Sequence, residues 1–329
     1  MSTEGRFLSG STGVPVVGDT VDLSRDIFGF YEQLQEEYGR IASYQVFGTN
    51  ACMIADPDAI ERILLETTRV TRREMSSLKP FDAMGEGLFL TDGAQWQRQR
   101  TATQPAFYRE RLNTYVPVMR ATAESTINEW LDGNVVELHE AMTQTTIDVL
   151  GRTLFGVNVA NKPVVAEASA AILARTNTNR FWSFLPTSVP TPTNIRYKRE
   201  LDRLRGFVDD LATQRREQSP EARGDDLLSI LIRFTETSEF DWEELRDNII
   251  TFLFAGHETT ALGLTSTLLC LARDHDEQAR VRDEIETICD GPVTAEDLSD
   301  LEHSRQSMSR CACIRPCTCS SANPFAASN

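Results

Sequence analysis

The sequence predicts a mainly α-helical protein with a small β portion near its N-terminus. From residue 94 onward, apolar side chains recur at helical spacing, and only short breaker segments interrupt them. Earlier, apolar and polar residues alternate from Ala42 to Val46, turn residues follow, and a second apolar stretch comes next. One further helical pattern runs from residue 242 to about residue 272, which corresponds to a helix of about 45 Å. Such a helix crosses a domain of this size, so much of its length must be buried.

Local signals place the N-terminal elements in order. A first helix with aromatic residues near one face ends at Gly39. Gly48-Thr49-Asn50 then supplies the turn of a hairpin between two apolar segments. Asp56 followed by Pro57 has the form of an N-cap with proline at the first helical position, so another helix begins there.

The later part reads as successive helices without a repeat of fixed period. Three breaks separate them: Gly133, Gly156 and the three-proline segment 185–192. The charged segment 215–226 predicts a further exposed connection. Asp241, with Glu244 three residues later, resembles a capping box that starts the long helix.

The charge balance excludes some classes of partner. The 329 residues carry 49 acidic and 33 basic side chains, for a net charge of −16. An acidic surface of this kind is unsuited to binding nucleic acid or anionic lipid. Only three of the basic residues are lysine, which fits either a high-salt cytoplasm or simply an acidic protein from a GC-rich coding sequence.

Targeting signals are absent from the sequence pattern. The first twenty residues hold no continuous apolar segment of the kind a signal peptide needs. No stretch reaches the ~20 uninterrupted apolar residues of a membrane span, because the best candidate, residues 249–272, contains His257 and Glu258. We therefore expect a cytoplasmic protein without a membrane span.

The seven cysteines fall into two groups. Cys52, Cys270 and Cys289 are scattered singly, as buried thiols of a reduced compartment would be. The other four form a C-x-C-x-x-x-C-x-C cluster near the C-terminus: Cys311, Cys313, Cys317 and Cys319. Four thiolates could bind zinc or an iron–sulfur unit, but nothing in the surrounding sequence predicts a scaffold for them. We assign no metal-ligand residues.

The centre of the long helix has an unusual composition. Ala255 and Gly256 leave no side-chain bulk, so a flat ligand could press against the backbone there. Thr259 lies four residues after Ala255, so its hydroxyl can bond back to that carbonyl and loosen the helix. Glu258 places a carboxylate in an apolar setting, which suits proton transfer. A helix–helix crossing at the small residues, with Glu258 facing solvent, is the alternative explanation.

His257 does not make this segment a zinc-peptidase motif. That motif needs a second histidine four residues later, where this chain has Ala261. His257 is therefore read as a packing or solvent-facing residue. His139 and His275 match no functional pattern and are read as ordinary helix-surface histidines.

Two motifs carry a family resemblance. Residues 255–260, AGHETT, within the string FLFAGHETTALGL, resemble the Ala/Gly-Gly-x-Asp/Glu-Thr-Thr/Ser signature of the distal helix in the cytochrome P-450 family of haem-thiolate monooxygenases. Trp96 and Arg100 lie four residues apart on one helical face, where an indole N–H and a guanidinium can hold a carboxylate. They resemble the family's W-x-x-x-R motif, preceded by Asp-Gly and followed by P-x-F. A surface cation–π pair is the alternative for these two residues.

The resemblance implies a fold, a cofactor and a reaction. The fold is that of the family, and the cofactor is haem b, whose propionate Trp96 and Arg100 would hold. Ala255 and Gly256 would leave room for dioxygen and substrate beside the haem. The catalytic residues would be Thr259, which orders water, and Glu258, which relays protons. Thr259 would also contact the cofactor. The family reaction inserts one oxygen atom into a hydrophobic small molecule.

The same resemblance implies further partners. Electrons would come from a separate protein, a ferredoxin or a flavin reductase. The substrate would lie near two apolar segments, residues 78–90 and 177–189.

The sequence also departs from the family pattern. No E-x-x-R motif with the family's proline-rich sequel follows the long helix, and no cysteine stands in an F-x-x-G-x-R-x-C-x-G loop, which supplies the thiolate ligand of the iron. We therefore expect residues 1–303 to form the N-terminal and distal part of the domain. Residues 304–329 are expected to form a non-native or disordered cysteine-rich tail without helical periodicity. On this reading the chain is inactive.

The tail has the properties of a shifted reading frame. Back-translation of residues 307–316 with GC-rich codons where the choice is free, read two nucleotides later, gives Asn-Glu, then Pro or Ser depending on the last base of the Ser309 codon, then Leu-Arg-Leu, His or Tyr, and two prolines. That is the missing E-x-x-R helix with its proline-rich sequel. Two other functions stay open: a non-catalytic helical protein that binds a hydrophobic ligand, and a thiol-rich metal or redox-binding protein that acts through the tail.

Overall fold

The computed structural model describes residues 8–66, 82–130, 133–159, 163–176 and 185–312. These residues form a mostly helical structure with one small antiparallel sheet, which confirms the predicted fold class. In the described parts, no helix is both long and apolar enough to cross a bilayer. The elements are α1 Thr20–Arg25, α2 Ile27–Tyr38, β1 Ile41–Val46, β2 Thr49–Ile54, α3 Pro57–Leu65, α4 Gly93–Thr103, α5 Arg109–Asn128, α6 Leu138–Leu154, α7 Pro163–Thr176, α8 Pro192–Arg216, α9 Leu227–Glu236, α10 Trp242–Arg273, α11 His275–Ile288 and α12 Glu302–Ala312.

The hairpin is present, but its turn is shorter than predicted. β1 and β2 pair from Ile41 opposite Ile54 to Val46 opposite Thr49. The turn is therefore Phe47-Gly48, with φ of 44° and 74°, and Thr49 and Asn50 belong to β2. A two-residue turn with both φ values positive matches the twist of the paired strands, and glycine at the second position makes it accessible.

One compact unit comprises Met1–Gln97 and Glu167–Leu204. Its described core includes the buried side chains of Leu23 and Val46, against which aromatic rings of α2 and β1 pack. Phe30 meets Tyr44 edge-on at 5.5 Å between ring centroids. As predicted, α3 begins with Pro57, and the Asp56 carboxylate accepts a hydrogen bond from the Ala59 N–H, three residues further on.

The other compact unit comprises Arg98–Ala166 and Arg205–Asn329, and α10 is its longest helix. The Asp241 carboxylate caps α10 by accepting the Glu244 N–H at 2.7 Å, which confirms the predicted start. The sequence predicted that much of this helix is buried, and four apolar side chains of its first half are buried: Ile249, Ile250, Leu253 and Phe254. Phe252 is half-buried and stacks on Phe107.

The charged segment 215–226, which runs from the end of α8 to the N-cap of α9, is only partly exposed. Arg215 is 8 % exposed, although the sequence predicted an exposed connection there. Its guanidinium donates to the Asp226 carboxylate, the Ser229 hydroxyl and the carbonyls of Phe155 and Arg223, at 2.5 to 3.1 Å. A buried guanidinium is stable only when acceptors converge on its donors. Here three acceptors follow Arg215 within 14 residues, and the Phe155 carbonyl comes from 60 residues earlier.

Helical structure continues past Ser304 in the described residues, although the sequence there has no helical periodicity. The non-native or disordered tail expected for residues 304–329 stays a prediction. α12 continues to Ala312, and its first turn is capped from α11. The Glu284 carboxylate accepts the backbone N–H groups of His303 and Ser304 at 2.7 and 2.8 Å. A carboxylate at a helix N-terminus satisfies donors that lack intrahelical partners, so α12 has a defined start.

The cysteine prediction is partly wrong. Cys52 is exposed on β2, and Cys270 and Cys289 are half-buried, so none of the three is a fully buried thiol. Cys52 alternates with inward-facing neighbours on a two-stranded sheet, and only one face of that sheet has a core to cover it. The side chains of the clustered cysteines, 311, 313, 317 and 319, lie outside the described residues. So do residues 78–81 and 177–184 of the segments expected to line a substrate pocket.

Candidate active site

The motif AGHETT lies in the middle of α10, and its threonines bond to their own helix. The Thr259 hydroxyl donates to the Ala255 carbonyl at 2.8 Å, which confirms the predicted back-bond. Thr260 makes the same bond to Gly256 at 2.7 Å. Other threonines of α10 also donate to the carbonyl four residues earlier: Thr251, Thr265 and Thr267.

The two sides of α10 differ at this point. Ala255 and Thr259 are exposed, and Leu262, three residues after Thr259, is 54 % exposed. Since positions three and four apart share a helical face, these residues form one open face with little side-chain bulk at Ala255. The opposite face is buried and includes His257 and Ala261.

Gly256 does not belong to the open face. A Cβ atom built on Gly256 would lie 3.0 and 3.1 Å from the two methyl carbons of Leu150 on α6. The alternative explanation from the sequence, a close crossing of two helices, therefore accounts for this glycine. Its predicted contact with the cofactor stays a prediction.

Alanine substitutions at two glycines of α10 test this crossing. Gly263 has no atom within 4 Å of a built Cβ, so Gly263→Ala should stabilise the helix by about 0.5 to 1 kcal/mol. Gly256→Ala should be less stable than Gly263→Ala by about 1 to 3 kcal/mol, because Leu150 must move. Urea unfolding measures both. Equal changes in the free energy of unfolding would show that Leu150 does not restrict residue 256. In a Leu150→Ala background, the difference between the two glycine substitutions should disappear.

His257 is a buried residue, and its side chain is 1 % exposed. Its Nδ1 atom lies 2.5 Å from the Leu253 carbonyl oxygen. A carbonyl only accepts hydrogen bonds, so Nδ1 carries the proton. Burial lowers the pKa of this imidazole, against opposing effects of the Leu253 carbonyl and Glu258. The Thr146 hydroxyl of α6 also donates to the His257 carbonyl at 3.2 Å, which ties the two helices together.

The lowered pKa of His257 predicts an acid sensitivity. The unfolded chain has an imidazole with its ordinary pKa near 6.5, so below that pH it binds more protons than the folded chain. This contribution to the free energy of unfolding is complete above about pH 6.5, and it falls by at most about 1.4 kcal/mol per pH unit below it. Urea unfolding across this range should show a weaker pH dependence for His257→Gln. The exposed His275 supplies the control His275→Gln, which should keep the wild-type dependence, and an unchanged dependence in His257→Gln would contradict this account.

Glu258 lies between two imidazoles. Its side chain is 23 % exposed, with Oε1 at 3.8 Å from His139 Nε2 and Oε2 at 3.8 Å from His257 Nε2. His139 comes from the first turn of α6 and is half-buried, so it is not the ordinary surface histidine that the sequence suggested. The pairing joins residues 119 positions apart, and no motif in the sequence signals it.

Trp96 and Arg100 lie on α4, as predicted. The Asp92 carboxylate accepts the Gly93 N–H at 2.7 Å at the start of this helix. Trp96 is half-buried and Arg100 is exposed. Within the described part of the chain, the Arg100 guanidinium has no hydrogen-bond or ion-pair partner, whereas that of its neighbour Arg98 pairs with Glu244. Arg100 is thus a cation that can accept an anionic partner.

Comparison with known proteins gives the family. The Cytochrome P450 family model matches residues 8–307, which is most of the chain. The chain belongs to the cytochrome P450 family. The family match therefore includes the long helix, both motifs and the start of α12.

Two relatives illustrate the similarity to other cytochrome P450 sequences. Pentalenene oxygenase of Streptomyces avermitilis is 29 % identical over 302 residues, which cover 90 % of this chain and 67 % of that protein. Cytokinin hydroxylase of Arabidopsis thaliana is 31 % identical over 293 residues, which cover 82 % and 56 %. The chain thus spans between about half and two thirds of the length of these cytochrome P450 relatives.

The fold is also shared with a solved structure. The cyanobacterial CYP120A1 bound to retinoic acid superposes with a TM-score of 0.78 over 92 % of this chain and 68 % of that chain. The sequence identity is 24 %, so this likeness supports the cytochrome P450 fold alone.

Proposed function

We propose that this chain supplies the distal, haem-facing part of a monooxygenase that inserts one atom of dioxygen into a hydrophobic small molecule. The observation that carries the proposal is the open face at Ala255 and Thr259 in the middle of α10, inside the region matched to the family. Among the relatives, the names pentalenene oxygenase and cyclooctat-9-en-7-ol 5-monooxygenase state the same class of reaction. Electrons would come from a separate ferredoxin or flavin reductase, as predicted from the sequence.

The described residues fit a haem group in two respects. Ala255 leaves the open face of α10 without bulk, which suits the approach of a flat ring. Arg100 carries an exposed guanidinium that has no partner among the described residues, which suits a carboxylate. Charge-assisted bonds from a guanidinium to a carboxylate are among the stronger polar contacts.

Each residue of the proposed site has a role that follows from its side-chain chemistry. Arg100 and Trp96, on one helix, would hold a propionate through their N–H groups. Haem, when bound, supplies the activation of dioxygen. The Thr259 hydroxyl can hold a water molecule or donate a proton on the open face, and Glu258 can take a proton from solvent and pass it on. Ala255 keeps that face clear for substrate.

Filling the open face tests the haem site. Ala255→Phe should abolish haem binding, because the ring would occupy the position of the cofactor. Thr260 is also exposed but lies elsewhere around α10, so Thr260→Phe is a matched control that should bind haem like the wild type. Titration of the apoprotein with haem, followed by absorbance, measures both. Equal binding by the two variants would contradict the proposed site.

A second experiment addresses activity. The 329 residues contain no F-x-x-G-x-R-x-C-x-G loop, so we propose that this chain alone gives bound haem no thiolate ligand and does not hydroxylate. The haem-loaded protein, reduced with dithionite and exposed to carbon monoxide, should lack the red-shifted Soret band of thiolate-ligated haem. The appearance of that band would contradict the inactivity and support the enzyme as it stands.

A further inference from the structure

Three titratable side chains meet in the groove between α6 and α10. His139 is 37 % exposed, Glu258 is 23 % exposed and His257 is 1 % exposed, so exposure falls in steps from solvent to core. Each imidazole Nε2 lies 3.8 Å from a different oxygen of the Glu258 carboxylate. Within the described residues, no hydrogen bond or ion pair joins the two imidazoles directly.

The buried imidazole presents an acceptor to the carboxylate. His257 Nδ1 donates to the Leu253 carbonyl, so the neutral ring has a bare lone pair on Nε2. That Nε2 atom is buried and has no hydrogen-bond partner among the described residues. A lone pair beside a carboxylate oxygen is satisfied when that oxygen carries a proton or when one water bridges the two atoms. The site therefore has a place for a proton on Oε2.

We propose that His139 is the solvent-side positioning residue that loads Glu258 with protons, and that Glu258 links His139 to His257. This inference rests on the proposed function, since it names the entry point of the protons that Glu258 is proposed to pass on. It adds a residue outside both sequence motifs.

The transfer balances as a simple acid–base step. The His139 imidazolium gives the proton on Nε2 to Oε1 of the Glu258 carboxylate, which becomes a neutral carboxylic acid. Rotation of that group about its Cγ–Cδ bond then brings the protonated oxygen to the side of His257, where the Nε2 lone pair accepts a hydrogen bond from it. His139 is left neutral and is protonated again by hydronium from solvent, which becomes water. A distance of 3.8 Å is too long for direct transfer, so a rotation of the carboxylate or one bridging water closes the gap.

No other cationic side chain competes for Glu258 among the described residues. Beyond the two histidines, no Lys, Arg or His nitrogen there lies within 4.0 Å of its carboxylate. Glu137 and Glu140, which flank His139 in sequence, are exposed. Basic side chains on the helices that pack against α10 lie beside other carboxylates: Arg152 of α6 beside Asp148, Arg233 of α9 beside Asp225, and His303 of α12 beside Glu277 of α11.

Nuclear magnetic resonance of the histidine ring nitrogens tests the link in the full chain without haem. The protein has four histidines, so each ring can be assigned from single substitutions. In the wild type, the His257 Nε2 shift should follow the protonation of His139 as the pH changes. Glu258→Gln and His139→Gln should each abolish the part of the pH-dependent change in the His257 Nε2 shift that follows His139. His275→Gln should leave that part unchanged.

The outcomes are decisive in both directions. A His257 shift that ignores His139 in the wild type, or that still follows it in Glu258→Gln, would overturn the link. If Glu258→Gln fails to fold, Glu258→Asp keeps the charge on a shorter side chain and should reduce the response without abolishing it. An unreduced response in Glu258→Asp would also count against the proposal. Haem titration of the same samples tests the proposed function separately. A protein that binds no haem can still show the coupling of His139 to His257 through Glu258.

Discussion

Replacing Arg215 with alanine is expected to lower the free energy of unfolding by about 3 to 5 kcal/mol, the usual effect of breaking a buried ion pair. The substitution leaves the Asp226 carboxylate without its cation and removes the donors to the Phe155 carbonyl and the Ser229 hydroxyl. Asp226 also caps α9 by accepting the Ser229 N–H at 2.8 Å, so the start of that helix should loosen as well. Urea unfolding followed by circular dichroism measures the change.

The next residue in the chain supplies the control. Arg216 is exposed, and its guanidinium lies over the Trp242 ring at 5.1 Å. Exposed cation–π contacts contribute about 0.5 to 1 kcal/mol, so Arg216→Ala should have a small effect. If the two alanine variants were equally stable, Arg215 would not be the centre of a buried polar network.

Replacing Arg100 with alanine is expected to weaken haem binding roughly 10- to 100-fold, because a hydrogen bond to a charged group contributes about 1.5 to 3 kcal/mol. The Arg100 guanidinium has no partner within the described residues and is exposed, so its loss should leave the stability of the apoprotein nearly unchanged. Arg100→Lys keeps the charge but loses the planar fork, and it should fall between the wild type and alanine. Competition with apomyoglobin for haem measures the affinities.

A neighbour on the same helix separates a local from a general effect. Gln97 is exposed on α4 and is not part of the W-x-x-x-R pattern, so Gln97→Ala should bind haem like the wild type. If Arg100→Ala left the haem affinity unchanged, Arg100 would not be part of the haem site. The assignment of the propionate would then rest on Trp96 alone.

Features set by neighbours in sequence could be predicted. The capping box at Asp241 and the apolar run after it gave the start and the buried half of α10. The four-residue spacing gave the bond from Thr259 to Ala255, since a helix brings a hydroxyl to the carbonyl one turn back. Helix geometry also placed Trp96 and Arg100 on one element.

Features set by tertiary packing could not be predicted. Arg215 is buried because the Phe155 carbonyl, 60 residues earlier, faces it, and a charged run in the sequence gives no sign of that partner. Gly256 faces Leu150 of another helix, and Glu258 meets His139 in the same way. Even the hairpin turn depended on which residues paired across the strands, so the sequence pattern placed it slightly too late.

The back-bond of Thr259 makes its hydroxyl a selective donor. The hydroxyl already has an acceptor, the Ala255 carbonyl at 2.8 Å, so any ligand on the open face must compete with that oxygen. A neutral ligand offers no better acceptor, so the hydroxyl keeps its hydrogen bond to the Ala255 carbonyl. A ligand that carries negative charge offers a bond roughly twice as strong, and the proton turns toward it. In the proposed function, Thr259 would therefore donate its hydroxyl proton to a ligand on the open face only when that ligand carries negative charge.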